Sequence, residues 1–557
     1  MSAVRFALIG VLLLILLPLI GFLVFTSLHQ SQIDGSYGPA TVKFFVGLLN
    51  SARFFENAAN TLLYAFGTAV VAIVLGTIQA WLAERTDAYG RSLLYLVAIL
   101  SLSIPYVLYT VGWLLFLGRA GPVNALLQAI TGSATPVLNV YTMTGQIVIE
   151  GLLWTPVAFL LLAAVFRNAD ASLEEASLMS GASIGQTMRN ISLRLAVPAI
   201  LALALLVFIR AIESFEVPAL VGMPGRFYVL TTDVFLQIYA ITPPNYGQAA
   251  ALSVILVGCV TVLLWFYSRL SRHAYRYRTV TGKGFRPRKV SLGRWRYLAT
   301  AMIILNGIII IGLPVFMLAW AALLPFYQPV SLAAVSQFSF KFFGLVFTSG
   351  TFRDTLQNTI LLGVGTASVV TAVSALGGWF IARRHSGAWL LDQLASASLA
   401  FPAIVLGLGF LTLFLAAPVS LYGTVTSLVI ASAIACLPYG IRYGTVGVSQ
   451  LHPELEEASR ASGAGEATTF LRVVVPLIAP SLVACWLLVF LLAVRAVSMP
   501  LILAGPDNSV VASALFDLWK DGQTGELAAM GLVWTAGMTA LSLAFFGLAR
   551  RFGTSLQ

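Results

Sequence analysis

Apolar runs of about 20 residues, the length an α-helix needs to cross a bilayer, recur along this chain from Phe6–Leu28 onward. No other feature restricts the fold as strongly. In hydrocarbon every backbone N–H and C=O has to find its partner inside the protein, so only helices and closed barrels cross. The runs are continuous and do not alternate apolar with polar, which selects helices. Only 10% of the residues are charged, against about a quarter in a soluble domain. Reading the runs in order predicts twelve spans: 6–28, 60–83, 92–117, 142–166, 195–220 and 248–270, then 298–324, 357–382, 389–416, 424–448, 477–504 and 527–548. The first run is long for a signal-peptide core and no clean small-residue cleavage site follows it, so it reads as an anchor. Asn60-Thr61 and Asn358-Thr359 are expected to open the second and eighth spans, and Pro105 and Pro402 fall within the third and ninth.

The second constraint is a duplication. Ser172-Leu-Glu-Glu-Ala-Ser-Leu-Met-Ser-Gly181-Ala-Ser and Glu454-Leu-Glu-Glu-Ala-Ser-Arg-Ala-Ser-Gly463-Ala-Gly are nearly the same phrase, and each breaks the apolar pattern. At one constant offset Glu175, Ala176, Ser177, Gly181, Ala182 and Thr187 fall on Glu457, Ala458, Ser459, Gly463, Ala464 and Thr469. Pro156, Pro198 and Pro218 fall on Pro438, Pro480 and Pro500 at the same offset. An offset held this far marks an internal repeat. Each run reads as a helix, a turn and a second helix. Ser172 and Glu175 have capping-box spacing, Pro453 suits a first helical turn, and the acids complement the positive helix start. Gly181 and Gly463 are expected to end the helix in the left-handed conformation that glycine takes cheaply.

The halves are expected at 1–270 and 298–557, with polar elbows near 168–192 and 450–474. Between them lies a basic linker, 271–297, holding Arg272, Arg276, Arg278, Lys283, Arg286, Arg288, Lys289, Arg294 and Arg296 and no acid. Basic clusters beside spans favour the cytoplasmic side and anionic membrane lipid, which is a better account of the net charge of +11 than a nucleic-acid partner. With the N-terminus inside, Arg85, Arg91, both elbows, the linker, Arg383, Arg384, Arg550 and Arg551 fall in the cytoplasm, in line with the positive-inside rule. Repeats of an even number of spans are parallel, related by an axis along the membrane normal.

The chain has no phosphate-binding Gly-x-x-x-x-Gly-Lys-Ser/Thr run, no His-Glu-x-x-His and no Gly-x-Ser-x-Gly. Cys259, Cys436 and Cys485 sit in apolar segments and read as core packing. No catalytic set and no cofactor site is expected, and if the chain is an active importer, its engine is another subunit. Ionisable groups inside spans usually face a cavity or a partner. Glu150, Glu213 and Glu216 are therefore candidates for a solute pathway, with Arg210 three residues from Glu213 and able to pair with it. Arg495 stands where Glu213 has its duplicate; a contact between those two across the repeat axis is one reading, and anchoring of these long side chains near the outer leaflet is the other. Pro218 and Pro500, at equal places in the repeats, are expected to break their helices, a pointer to a transport path.

The duplicated elbow resembles the Glu-Ala-Ala loop of permeases in binding-protein-dependent ABC importers. Glu457-Ala458-Ser459, Gly463 and Val475-Pro476 match the family pattern, and so do Glu175-Ala176-Ser177 and Gly181, with Arg194 in place of the proline. The resemblance implies an all-α integral membrane fold, twelve transmembrane helices as two parallel six-helix repeats in the manner of a type I ABC importer permease. It also implies that Glu174, Glu175, Ala176, Gly181 and Glu456, Glu457, Ala458, Gly463 couple to two copies of a cytoplasmic ATPase. A periplasmic solute-binding protein would deliver the solute, and the location would be the bacterial inner membrane with both termini cytoplasmic. The fused length and the phrase Glu213-Ser-Phe-Glu-Val-Pro-Ala-Leu resemble the ferric-iron branch, with thiamine, polyamine and phosphonate permeases as neighbours. The competing class is a twelve-span secondary transporter driven by an ion gradient.

Overall fold

The structure is a computed structural model and describes residues 2–31, 37–168, 172–275, 290–416, 421–505 and 507–551. Most of the basic linker, 276–289, lies outside the described residues. Among the described residues ten helices are long and apolar enough to cross a membrane, and two bent pairs bring the number to twelve if each pair is one span. The bent pairs are Arg91–Ser101 with Tyr106–Thr131, at 111°, and Ala388–Ala400 with Ala403–Ala416, at 107°. The expected third and ninth spans are thus broken, not straight. Pro105 and Pro402 sit at the breaks, with Pro105 extended at ψ 143 and Phe401, ahead of Pro402, extended at ψ 115. A proline removes an N–H from the ladder and drives the residue before it out of the helical region.

Two other breaks fall differently from expectation. Helix Leu193–Glu213 ends at Ser214, which is extended, and helix Val475–Arg495 ends at Ala496, also extended. Pro218 then opens the π-helical turn Pro218–Gly222, and Pro500 lies within the short helix Ser498–Leu503. The prolines belong to the segments after the breaks. The Asn-Thr pairs do not open their helices either, since these run Ala52–Arg85 and Gly350–Ala382. They are clamps two turns in. Asn60 Nδ2 donates to Tyr228 O at 3.2 Å and Thr61 Oγ1 accepts from Leu230 N at 2.9 Å. In the repeat Asn358 Nδ2 donates to Ser509 O at 3.0 Å and Thr359 Oγ1 accepts from Val511 N at 2.9 Å.

The chain forms two compact units, and they are not its two sequence halves. One holds residues 52–232 and 258–342; the other holds 1–51, 233–257 and 343–557. In the first, helices Ala52–Arg85, Met143–Asn168 and Leu193–Glu213 pack around Ala72, Ala80, Phe159, Leu162 and Phe166. Small residues let backbones approach closely, as membrane helix pairs require: a Cβ at Gly76 would stand 2.8 Å from that of Ala158. The first span of the second half, Trp295–Leu323, belongs to this unit. Its Pro314 lies on Gly112 of helix Tyr106–Leu117, where a Cβ would meet it at 2.7 Å. In the other unit helix Gly350–Ala382 packs on Val425–Ser449 with Gly378 against Gly444. There the first span of the chain, Ala3–Leu28, packs along Ala388–Ala397 and Ala403–Ala416, with Leu19 2.9 Å from a Cβ built on Gly409. Each unit is completed by the leading span of the opposite half.

Arg296, read from sequence as part of the basic linker, is paired with an acid outside it. It binds Asp87 and donates to Tyr89 Oη at 3.0 Å, while Val290 N donates to Arg85 O at 2.9 Å. The end of the linker is thereby fastened to the turn that follows helix Ala52–Arg85. Of the cysteines, Cys436 and Cys485 are buried as expected, but Cys259 is exposed on the helix surface.

Candidate functional site: the paired elbows

Both elbows are built alike. In the first, helix Ser172–Met179 ends at Gly181, with φ +84, and a short helix, Ile184–Thr187, leads through the π-helical turn Met188–Ser192 into the next span. In the second, helix Glu454–Ala461 ends at Gly463, with φ +85, followed by Glu466–Thr469 and the π-helical turn Phe470–Val474. The left-handed glycine allows a 6→1 closure: Ala182 N donates to Ser177 O at 3.2 Å, and Ala464 N to Ser459 O at 3.1 Å. The Ser172 side chain, half of the expected capping box, lies outside the described residues. Arg194 in place of the family's proline has no effect on the path, because the same π-helical turn occurs in both copies. The proline is not what makes it.

The serine standing third in each acidic phrase has a specific role. Ser177 Oγ and Thr187 Oγ1 are 2.9 Å apart, and Ser459 Oγ and Thr469 Oγ1 are also 2.9 Å apart. Thr187 and Thr469 are buried. One hydroxyl pair therefore clasps the two short helices of each elbow, and alanine cannot make it.

The two neighbouring glutamates do different work. Glu174 is buried, 6% exposed, and pairs with the buried Arg85 at 3.5 Å. Glu456 is 3% exposed and accepts from Arg383 Nε at 2.7 Å and from Trp379 Nε1 at 3.0 Å, with Arg460 at 3.5 Å. A buried carboxylate needs a cation and hydrogen bonds to be tolerated, and these residues supply them. Arg85 ends helix Ala52–Arg85, and Trp379 and Arg383 stand at the end of Gly350–Ala382. Each elbow is thus braced to the second span of its half. The sequence reading had Arg85 and Arg383 only as cytoplasmic charges and did not single out Trp379. Their signal was there, as Trp81 and Arg85 repeat at the same spacing in Trp379 and Arg383. Glu457 and Ala458 are exposed, as is Ala176, and Glu175 is half-exposed. Leu173, Met179 and Leu455 are exposed beside them, at 49%, 90% and 46%.

Of the pathway candidates, Arg210 and Glu213 pair at 2.6 Å, as their spacing allows. Glu150 is buried and accepts from Trp154 Nε1 at 3.0 Å; Tyr64, Ser214 and Glu216 lie close to it. Glu216 and Pro218 are buried in the same unit. Arg495 and Pro500 belong to the other unit, where Arg495 ends helix Val475–Arg495 and Pro500 is buried.

Sequence comparison gives these elbows a family. The pattern of the family described as "Binding-protein-dependent transport system inner membrane component" matches residues 72–274 and again 374–556. The chain belongs to that family. Each match contains one elbow, so the permease is a two-repeat member. It is 25% identical over 548 residues to the ferric transport system permease protein FbpB of Actinobacillus pleuropneumoniae, covering 96% of this chain and 77% of that one. A putative ferric transport system permease of Haemophilus influenzae is 26% identical over 84% of this chain and 72% of its own. A putative 2-aminoethylphosphonate transport permease of Salmonella typhi is 26% identical over 44% of this chain and 86% of its own length. The permease is an inner-membrane component of the all-α class, its one small sheet among the described residues pairing His29–Ser31 with Tyr37–Ala40, and a transport subunit of a binding-protein-dependent ABC importer.

Proposed function

We propose that this permease passes ferric iron from a periplasmic binding protein to the cytoplasm, driven by two copies of a separate ATPase, one at each elbow. The observation that carries the coupling scheme is the matched construction of the elbows. Each has a buried glutamate bracing it to a span and a second glutamate, Glu175 or Glu457, left at the surface. Exposed Leu173, Met179 and Leu455 beside those acids are apolar side chains of the kind a docking partner covers. Two like handles suit two like motors. A partner that binds one state of the permease better than another shifts its population, and no catalysis by this chain is needed. The balance of basic residues supports elbows and termini on the cytoplasmic side. ATP belongs to the partner, and no cofactor is assigned to the permease itself.

Iron is supported by the FbpB relatives, which match nearly the whole fused chain, whereas the phosphonate relative matches under half of it. Buried Glu150 and Glu216, with Glu213 held by Arg210, support a cation-favouring path through the first repeat. The second repeat has Ser432, Arg495 and Ser498 at the matching places. The test is reconstitution of the permease with its ATPase and binding protein in vesicles, offering ferric iron, thiamine, a polyamine and 2-aminoethylphosphonate in turn. ATP-dependent uptake of iron alone is expected. Uptake without ATP under an ion gradient would favour the secondary transporter instead.

A further inference from the structure

Among the described residues no group of three or more His, Cys, Asp or Glu is placed to hold a metal ion. A hard trivalent cation also takes anionic phenolate oxygen, and the unit holding residues 233–257 and 343–557 gathers phenols on one surface. Tyr239 ends helix Leu230–Tyr239, is 50% exposed and donates to Leu501 O at 2.8 Å. Its ring stacks on Phe235 with centroids 4.8 Å apart, and Phe235 meets Phe516 edge-on at 6.4 Å. Asp517, the next residue, is exposed. Tyr422 is 40% exposed in the turn before helix Val425–Ser449. That turn is held to the same region by Asn508 Nδ2, which donates to Thr424 O at 2.9 Å, and by Gly505 lying against Gly423. Tyr246 opens helix Tyr246–Tyr275. Burial first, then the charges of Tyr422, Tyr246 and Asp517, push the Tyr239 phenol up to about 12, so all four groups share one electrostatic neighbourhood.

Two further observations favour a cation here. Asp507 and Asp521 are exposed nearby and Glu526 is half-exposed, with Lys520 the one basic residue between 501 and 530. An excess of one sign draws counter-ions to a surface. The cluster is also not duplicated. Val140 stands where the first half would have Tyr422, and Phe235 where it would have Asp517. Features that merely hold the fold, such as the Asn-Thr clamps and the Ser–Thr clasps, occur twice.

We propose that Tyr239, Tyr422 and Asp517, with Tyr246 beside them, form a transient oxygen-donor site that receives the ferric ion on the side facing the binding protein. This rests on the iron reading and on the cytoplasmic placement of the elbows. The turns and helix ends that carry the four residues lie at the opposite ends of their spans from the elbows. Each phenol releases its proton on coordination, so protons compete with the ion and occupancy falls as pH falls. Partial exposure and few donors suit a stepping-stone, since a site that binds too tightly slows exit.

The experiment adds ferric nitrilotriacetate to the purified permease–ATPase complex without binding protein and records the visible spectrum. The expected result is a tyrosinate-to-iron charge-transfer band, lost in Tyr239→Phe and Tyr422→Phe, with reconstituted iron uptake falling severalfold in both. If Tyr239→Phe fails to fold for want of its bond to Leu501, Tyr422→Phe and Asp517→Asn carry the test. Wild-type permease that imports iron yet shows no band, or a band that survives the double Phe variant, overturns the site and leaves the iron reading standing. Phe variants that weaken capture of the binding protein with no band in the wild type assign the tyrosines to a protein interface and also overturn it. Absence of any iron uptake by the wild type removes the iron reading, and the site falls with it.

Discussion

Adjacent glutamates of identical chemistry are separated by where their backbones put them. Glu456 is locked to Arg383 and Trp379, and Glu457 beside it faces solvent. Removing one member of a buried ion pair costs about 3–5 kcal/mol because the other charge is left behind. Glu456→Leu is therefore expected to lower the thermal midpoint of the purified permease, followed by dye unfolding. Glu457→Lys should leave that midpoint nearly unmoved, since an exposed substitution usually changes stability by no more than about 0.5 kcal/mol, while ATP hydrolysis loses its dependence on solute delivery. The reverse pattern would exchange the roles assigned to the two residues. Gly463 gives a cleaner case, since no atom lies within 4 Å of a Cβ added there. Gly463→Ala meets no clash and only the left-handed conformation opposes it, at about 1–2 kcal/mol. A midpoint unchanged from wild type would show that the turn is not held in that conformation. From sequence, the glutamate pair was visible but its division of labour was not. Which of two neighbours is buried depends on Arg85 and Arg383, distant along the chain and brought near only by packing.

Among the elements, the long helices were the legible part. Among the described residues ten of the twelve expected spans hold one long helix, though in the fifth and eleventh it stops short at Glu213 and Arg495; a continuous apolar run has few alternatives in a membrane. The third and ninth read as single apolar runs, each containing a proline, and hydropathy cannot tell a straight helix from a broken one of equal composition. The prolines were noticed in both, yet Pro156 and Pro438 sit inside unbroken helices, so a proline alone does not announce a break. The fastening of Asp87 to Arg296 was also invisible, as it joins residues on either side of four spans. The Arg296 guanidinium and the Leu292 N–H, 3.0 Å from Asp87 Oδ1, hold the Asp87 carboxyl below its ordinary range. A carboxylate depressed in the folded state contributes stability above its unfolded pKa and loses it as pH falls through the lower folded value. The midpoint of wild-type permease should therefore drop more steeply than that of Asp87→Asn as pH falls below about 4, the ordinary aspartate range. Parallel curves would mean that this pair contributes nothing measurable.

At the scale of the whole molecule, the repeat predicted two like halves, and the family match at 72–274 and 374–556 agrees with duplication. Sequence gave no sign that each half lends its leading span to the other compact unit. Offset and hydropathy describe what is repeated and are silent on which copy a helix packs against. The decisive contacts are small ones, Pro314 on Gly112 and Leu19 on Gly409. A chain ending at residue 270 should accordingly be unstable alone and recovered when a 271–557 chain is produced with it, as read by protease resistance in membranes. Equal resistance of the first fragment with and without the second would count against the exchange.

That exchange also sets an order of events during synthesis. The Gly112 surface leaves the ribosome some two hundred residues ahead of Pro314, its eventual cover. At translation speeds of about 5–20 residues per second, the surface waits on the order of ten to forty seconds with only lipid against it. The first six spans can insert in that time but have nothing to finish packing on. A permease of this design is therefore committed to a late assembly step, and an insertion chaperone acting on it has a defined interval in which to hold the unfinished bundle.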